Sequence, residues 1–139
     1  STPLTELAKL YQPMLKGVDI VIGSRKVKGA KITKHQLIWR EWLGRQFTNL
    51  TNLWLDTKVS DVTWGFKLFT AKAAKKLFSL VRINRWAYDA EILFLAKKLN
   101  FSVKEIPIIW KNDAKTKVNL FKDIIRSIVD LIRIKLTDY

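Results

Sequence analysis

The 139-residue sequence has no cysteine, one histidine, one methionine, three prolines and five glycines. Without cysteine there are no disulfides, no thiolate zinc sites and no cysteine nucleophile, a composition that fits a reducing compartment. A single histidine, His35, excludes a histidine-cluster metal centre. No run of about 18 uncharged apolar residues occurs, so no segment reads as a membrane span. The sequence opens Ser1-Thr2-Pro3, with neither an initiator methionine nor a signal-peptide pattern, and the expectation is a processed protein or a piece of a larger one. Acidic side chains are also scarce. Twelve stand against 26 basic ones, a formal net charge of +14, so the expected partner is an anion: nucleic acid, a membrane surface or a phosphorylated substrate. Most of the basic residues are lysines and none forms a dense arginine block, which weakens the nucleic-acid reading.

What is present suits one globular α/β domain: 48% of residues are hydrophobic and 12% aromatic. Ser1 or Thr2 is a candidate N-cap, with Pro3 at the first helical position. Leu4, Leu7, Ala8, Tyr11 and Leu15 form one face of a helix that Gly17 ends. Val18 to Ile22 is a β-branched run that predicts a strand buried on both faces, as in a parallel sheet. Residues 24–34 read as a basic loop. A long helix is predicted from His35 to Leu55, with Leu37, Ile38, Trp42, Leu43, Phe47, Leu50 and Leu53 at helical spacing. A short strand is predicted over Gly65–Phe69, with helices over Ala71–Phe78 and Tyr88–Leu99. Val103 to Trp110 is an extended segment whose Pro107 suits an edge strand. The last helix, Asn119–Leu136, is apolar along Leu120, Ile124, Ile128, Leu131 and Ile132, and basic at Lys122, Arg126, Arg133 and Lys135. That helix suits an anionic membrane surface or, equally, a cover for the sheet.

Five stretches carry candidate chemistry. Gly23-Ser24-Arg25 follows the buried strand, where open α/β sheets place ligand loops; an arginine there grips phosphate oxygens or is one more solvated cation. Arg40 stands one helical turn before Gly44, on nearly the same face. Glycine inside a helix costs roughly 1 kcal/mol relative to alanine, so close packing or a ligand is expected to retain it. In the stretch from Asp61 to Phe69, a turn would present Asp61 and Trp64 at a sheet edge or supply core aromatics. Trp86 to Glu91 sets an aromatic pair before a helix whose first turn carries Asp89 and Glu91, which complement the helix dipole. Trp110 to Val118 contains three lysines and Thr116, and serves as a phosphate cradle or a solvated loop.

In this order the five stretches resemble the C-terminal portion of a family 2 glycosyltransferase of the GT-A (Rossmann-like) type, in the dolichyl-phosphate β-glucosyltransferase and polyprenyl-phosphate glycosyltransferase branch. The family pattern Gly-Ser-Arg, Arg-x-x-x-Gly-x-x-Phe, Asp-Thr-Gln-Cys-Gly-Phe-Lys-Leu-Phe, Trp-Ala-Phe-Asp-x-Glu and a Trp followed by a Ser-Lys loop is matched by Gly23 to Arg25, Arg40 to Phe47, Asp61 to Phe69, Trp86 to Glu91 and Trp110 to Lys117. Thr63-Trp64 stands where the family has Gln-Cys, and Thr116 where it has Ser. Thr2-Pro3-x-x-Glu6 resembles the segment that follows the family's metal-binding Asp-x-Asp motif. The implied architecture is a short mixed sheet with flanking helices, residues 1–139 being the acceptor side of the catalytic domain without its nucleotide-binding half.

The resemblance implies an inverting transfer of a hexose, glucose in the first instance, from a nucleotide sugar such as UDP-glucose to a polyprenyl (dolichyl) phosphate, with no turnover by these residues alone. It implies phosphate contacts from Ser24, Arg25, Arg40 and Lys117, and catalytic roles for Arg40, Asp61 and Asp89. Asp61 would orient the sugar or an arginine, and Gly44, Trp64 and Gly65 would line the acceptor site. A divalent ion, Mg or Mn, would bind upstream, with no metal held by this chain. The protein would sit in the cytoplasm against an anionic membrane, the endoplasmic reticulum or the plasma membrane. The competing readings are a non-catalytic basic module that stacks nucleic-acid bases on tryptophan, against which stands the core-like spacing of many tryptophans, and a purely membrane-docking domain.

Overall fold

A computed structural model describes residues 2–34, 37–84, 87–111 and 120–139. After a 3-10 turn at Leu4–Glu6 the elements are α1 (Leu7–Leu15), β1 (Ile20–Ser24), β2 (Lys31–Lys34), α2 (Ile38–Leu55), β3 (Lys67–Phe69), α3 (Ala71–Leu80), α4 (Tyr88–Lys98), β4 (Val103–Pro107), β5 (Ile109–Lys111) and α5 (Leu120–Leu136).

The β-branched run forms β1, shifted two residues toward the C-terminus and buried at every position. It is central in a three-stranded mixed sheet of order β3-β1-β4. β3 runs antiparallel to it (Ile20 opposite Phe69, Ile22 opposite Lys67), and β4 runs parallel (Ile20 opposite Val103, Ser24 opposite Pro107). β4 is an edge strand, and Pro107 sits at its last position, where a missing N–H costs least. Alternation along β1 divides the core. Ile20 and Ile22 face a helical layer with Leu77 of α3, Ile92 and Leu95 of α4, and Leu131 and Ile134 of α5. Val21 faces Leu10 of α1, with Ile106 and Ile108. This is the expected α/β unit, a short mixed sheet with flanking helices.

Several expectations change. Residues 31–34 are not loop but strand β2, parallel to β5 in a separate two-stranded sheet (Lys31 opposite Ile109, Ile32 opposite Trp110). The first helical turn has no side-chain cap; Pro3 precedes a 3-10 turn. The helical periods of α1 and α2 hold, but their buried faces differ from those expected. α1 buries Leu10 and Pro13 and leaves Leu4, Leu7, Tyr11 and Leu15 exposed. α2 buries Thr48, Thr51 and Leu55 while Ile38, Trp42 and Leu53 face outward. α5 covers the helical side of the core through Leu131 and Ile134, while Ile128 and Ile132 of the expected apolar face are exposed, as is Ile125. The tryptophans are less core-like than their spacing implies, since Trp39, Trp42 and Trp54 are exposed. The expected helix starts at His35 and Asn119, the Ser1 cap, Trp86, and the loop carrying Thr116 and Lys117 lie outside the described residues.

Two local devices position the strands. Glu6, buried at 4% exposure, accepts from the Ile109 backbone N–H at 3.0 Å and from Lys9 Nζ at 2.8 Å, tying α1 to the start of β5. Burial pushes its carboxyl up, but the Lys9 and Ile109 hydrogen bonds outweigh this and hold it below the ordinary glutamate range. Gly23, the next-to-last residue of β1, lets two side chains close over the strand: a Cβ there would stand 2.8 Å from Ile108 Cγ2 and 3.0 Å from Phe66 Cδ1. Gly23→Ala is therefore expected to destabilise the protein by about 1–3 kcal/mol through overpacking, read as a lower urea midpoint at unchanged slope. A loss below about 0.5 kcal/mol, the size of an ordinary surface substitution, would show that the strand is not closely covered.

Candidate functional site

The carboxyl end of β1 delivers Arg25 to a cluster drawn from three parts of the chain. Its Nε donates to Asp61 Oδ2 at 2.8 Å and its Nη2 to Asp61 Oδ1 at 2.9 Å, a two-pronged pair, while its backbone N–H reaches Oδ2 at 3.3 Å. Asp61 is fully buried, and the Arg25 side chain is 16% exposed. The guanidinium carbon lies 4.1 Å from the Trp64 ring centroid and 5.0 Å from that of Trp110, in the corner of an edge-to-face pair 5.5 Å apart. The Glu105 carboxylate of β4 accepts the Ser60 and Asp61 backbone N–H groups at 2.9 and 3.2 Å, fixing the turn that carries Asp61. Asp61 is thus turned inward onto Arg25 rather than presented at a sheet edge. Its burial is tolerable because both oxygens are bonded.

A second buried pair lies behind the same turn. Lys67, the first residue of β3, donates to Asp89 Oδ1 at 2.6 Å, to Val62 O at 3.2 Å and to Trp64 O. The two side chains are 3% and 8% exposed. Burial brings the Lys67 ammonium below the ordinary lysine range and the Asp89 carboxyl above the ordinary aspartate range, and each partner opposes the other's shift. Asp89 and Glu91 therefore do more than complement a helix dipole. Glu91 is buried and accepts the backbone N–H groups of Arg82 and Ile83, at 3.0 and 2.8 Å, and the Tyr139 hydroxyl.

The third group lies along α2. Arg40, Gly44 and Thr48 are spaced by four residues and so share one face. Close packing does not account for Gly44: among the described residues, apart from the adjoining backbone of its own helix, no atom lies within 4 Å of where its Cβ would stand. The same is true of Gly65. Arg40 stacks on Trp39 with 5.3 Å from guanidinium carbon to ring centroid, and its Nε is buried without a hydrogen-bond partner. From the loop after β1, Lys26 donates to Thr48 Oγ1 at 3.1 Å. Burial, with Arg25 and Arg45 nearby, holds the Lys26 ammonium below the ordinary lysine range against the pull of Asp61 and Glu105.

Arg25, Asp61 and Trp64 are thus brought together, Ser24 lies buried beside them at the end of β1, and Asp89 joins them through Lys67 and the 61–64 turn. Arg40 and Gly44 belong to the neighbouring face of α2, and Lys117 falls outside the described residues. The residues sequence reasoning missed are Lys67, Lys26 and Glu105. Lys67 left a readable signal, a lysine at the centre of the otherwise apolar run Gly65–Phe69. The committed carboxylates do not fit a divalent ion, since Asp61 is taken by Arg25 and Asp89 by Lys67. Among the described residues no three of His, Cys, Asp and Glu gather into a metal-binding group. Nor is any described helix long and apolar enough to cross a membrane.

Comparison with characterised proteins gives similarity to a dolichyl-phosphate beta-glucosyltransferase of Dictyostelium discoideum, 39% identical over 77 residues, covering 55% of this chain and 24% of that protein. A dolichyl-phosphate beta-glucosyltransferase of Saccharomyces cerevisiae is 33% identical over 119 residues, covering 84% of this chain and 35% of that one. Glycosyltransferase AglD of Haloferax volcanii is 36% identical over 126 residues, covering 90% and 20%. No family model matches the chain. The chain spans about a third or less of the length of these relatives.

Removing the Lys67 ammonium would leave the Asp89 carboxylate buried and uncompensated and two carbonyls unbonded. Lys67→Met is expected to cost about 3–5 kcal/mol, measured by urea unfolding, with Asp89→Asn in the Met background restoring part of the loss. A Met variant as stable as the parent would show that the pair is not a buried one.

Proposed function

The chain is related by sequence to the dolichyl-phosphate β-glucosyltransferases of glycosyltransferase family 2, and from that premise we propose that it forms the acceptor side of an enzyme that transfers glucose from UDP-glucose to a polyprenyl phosphate such as dolichyl phosphate. The observation that carries this reading is similarity over most of the chain to proteins of that name, at 33% identity over 84% of its length in the yeast case. The nucleotide sugar, and the divalent ion that would neutralise its diphosphate, belong in this reading to residues outside these 139.

The chemistry asks little acid–base work of the site. An acceptor phosphate oxygen attacks the anomeric carbon, the bond from that carbon to the nucleotide diphosphate breaks with its electron pair leaving on the diphosphate, and the configuration inverts. A phosphate monoester is already anionic near neutral pH, so no strong base is needed. The site must instead bring two anions together, which calls for fixed cations. Arg40 is the acceptor-phosphate ligand in this reading, beside the open space over Gly44. Arg25, bonded to Asp61 and enclosed by Trp64 and Trp110, supports the turn, with Ser24 buried beside it; Lys117, outside the described residues, is assigned the remaining phosphate contact in this reading.

The isoprenoid requires an apolar approach. Ile38, Trp39 and Trp42 are exposed at the start of α2, and Ile125, Ile128 and Ile132 on α5, flanked by Arg126 and Arg133. Exposed apolar side chains of this kind, with arginines beside them, suit an anionic bilayer holding the lipid acceptor, and in this reading the protein works at the cytoplasmic face of a membrane, the endoplasmic reticulum or the plasma membrane. The exposed tryptophans also suit base stacking, but no nucleic-acid motif accompanies them.

The test is glucose transfer from UDP-glucose to dolichyl phosphate in vesicles by the polypeptide that carries these residues. Arg40→Ala is expected to lower kcat/KM by about 100-fold or more, the usual effect of losing one transition-state cation or donor, while UDP-glucose binding is retained. Unchanged transfer by that variant would overturn the assignment.

A further inference from the structure

Resting on the acceptor-side reading above, we propose that Lys26 is a second ligand of the acceptor phosphate, closing with Arg40 a site that opens over Gly44 of α2. Thr48 and Arg40 are eight residues apart on one helical face, about 12 Å along the axis, with the side-chain-free Gly44 midway between them. Lys26 Nζ is pinned at the Thr48 end by a 3.1 Å bond to Oγ1, and Arg40 stands at the other end with a buried, unbonded Nε. An ammonium has three N–H donors and Thr48 takes one.

Lys26 shares its carboxylate neighbours with other donors. Asp61 is 3.9 Å away, but both of its oxygens are occupied by Arg25, and the Glu105 carboxylate is spent on the backbone N–H groups of Ser60 and Asp61. Burial is the main cause of the depressed affinity of Lys26 for its proton, Arg25 and Arg45 adding to it while Asp61 and Glu105 pull against it. A tetrahedral dianion over Gly44 relieves the repulsion. It would accept from Lys26 and Arg40 on opposite sides, with its lipid tail free to run toward Trp39 and Trp42 at the N-terminal end of the same helix. Thr48 is a positioning residue here, aiming Lys26 along the helix.

Farnesyl phosphate and farnesol separate the head-group contribution from that of the tail. By titration calorimetry, Lys26→Met should weaken farnesyl phosphate binding about tenfold and leave farnesol binding unchanged. Lys26→Arg should retain most of the affinity, and Thr48→Val should cost about threefold. Circular dichroism of each variant checks the fold. Loss of phosphate binding in Arg40→Ala with none in Lys26→Met overturns this proposal and leaves the acceptor-side reading standing. No effect of either substitution, or no farnesyl phosphate binding by the unsubstituted chain at millimolar concentration, overturns both. Equal weakening of farnesol and farnesyl phosphate by Lys26→Met also overturns it, because the side chain would then be packing rather than binding charge.

Discussion

The buried ion pair between Arg25 and Asp61 is where the separate parts of this chain meet. Arg25 comes off the end of the central strand β1, Asp61 off the turn before β3, Glu105 fixes that turn from β4, and the tryptophans that enclose the guanidinium come from the turn and from β5 of the second sheet. A buried pair of this kind contributes little net stability over a well-packed apolar substitute, because desolvating the charges offsets their attraction. What it supplies is geometry: a two-pronged contact seated in the corner between two perpendicular tryptophan rings admits one arrangement of the turn. The residues that place Trp64, and the surface beside Lys26, follow from that arrangement.

The Lys67–Asp89 pair extends the same logic inward. Lys67 holds the carbonyls of Val62 and Trp64, so the turn is clamped from its backbone side as it is from Asp61. Two buried ion pairs and the half-buried Glu105 carboxylate on backbone amides, all converging on the segment from residue 60 to 67, amount to a rigid platform. Such rigidity suits a site whose task is to hold anions at fixed positions, since preorganised charges need no rearrangement during reaction.

Much of the fold was legible in the sequence, for reasons that can be stated residue by residue. The run Val18 to Ile22 announced a doubly buried strand because four of its five residues are β-branched and apolar, the exception, Asp19, lying just before β1 with its carboxylate on Ser102, and Pro107 announced an edge. β2 was not legible, because Lys31-Ile32-Thr33-Lys34 is basic enough to read as loop and its pairing partner lies some 78 residues later, at Ile109. Helical periods could be read along α1 and α2, but not which face was covered, since α2 buries threonines and turns tryptophans outward. The candidate site was legible as a set of residue types in order. Its internal wiring was not: that Asp61 faces Arg25, 36 residues away, depends on the packing of both sheets.

The most direct test of this account is a double-mutant cycle on Arg25→Met and Asp61→Asn, read by urea unfolding. Each single substitution strands a buried partner and is predicted to cost about 3–5 kcal/mol. The double variant should cost at least ~2 kcal/mol less than the sum of the two, the coupling expected of residues in direct contact. Additivity within about 0.5 kcal/mol, the behaviour of distant sites, would contradict the claim that this pair joins the two sheets and the turn between them.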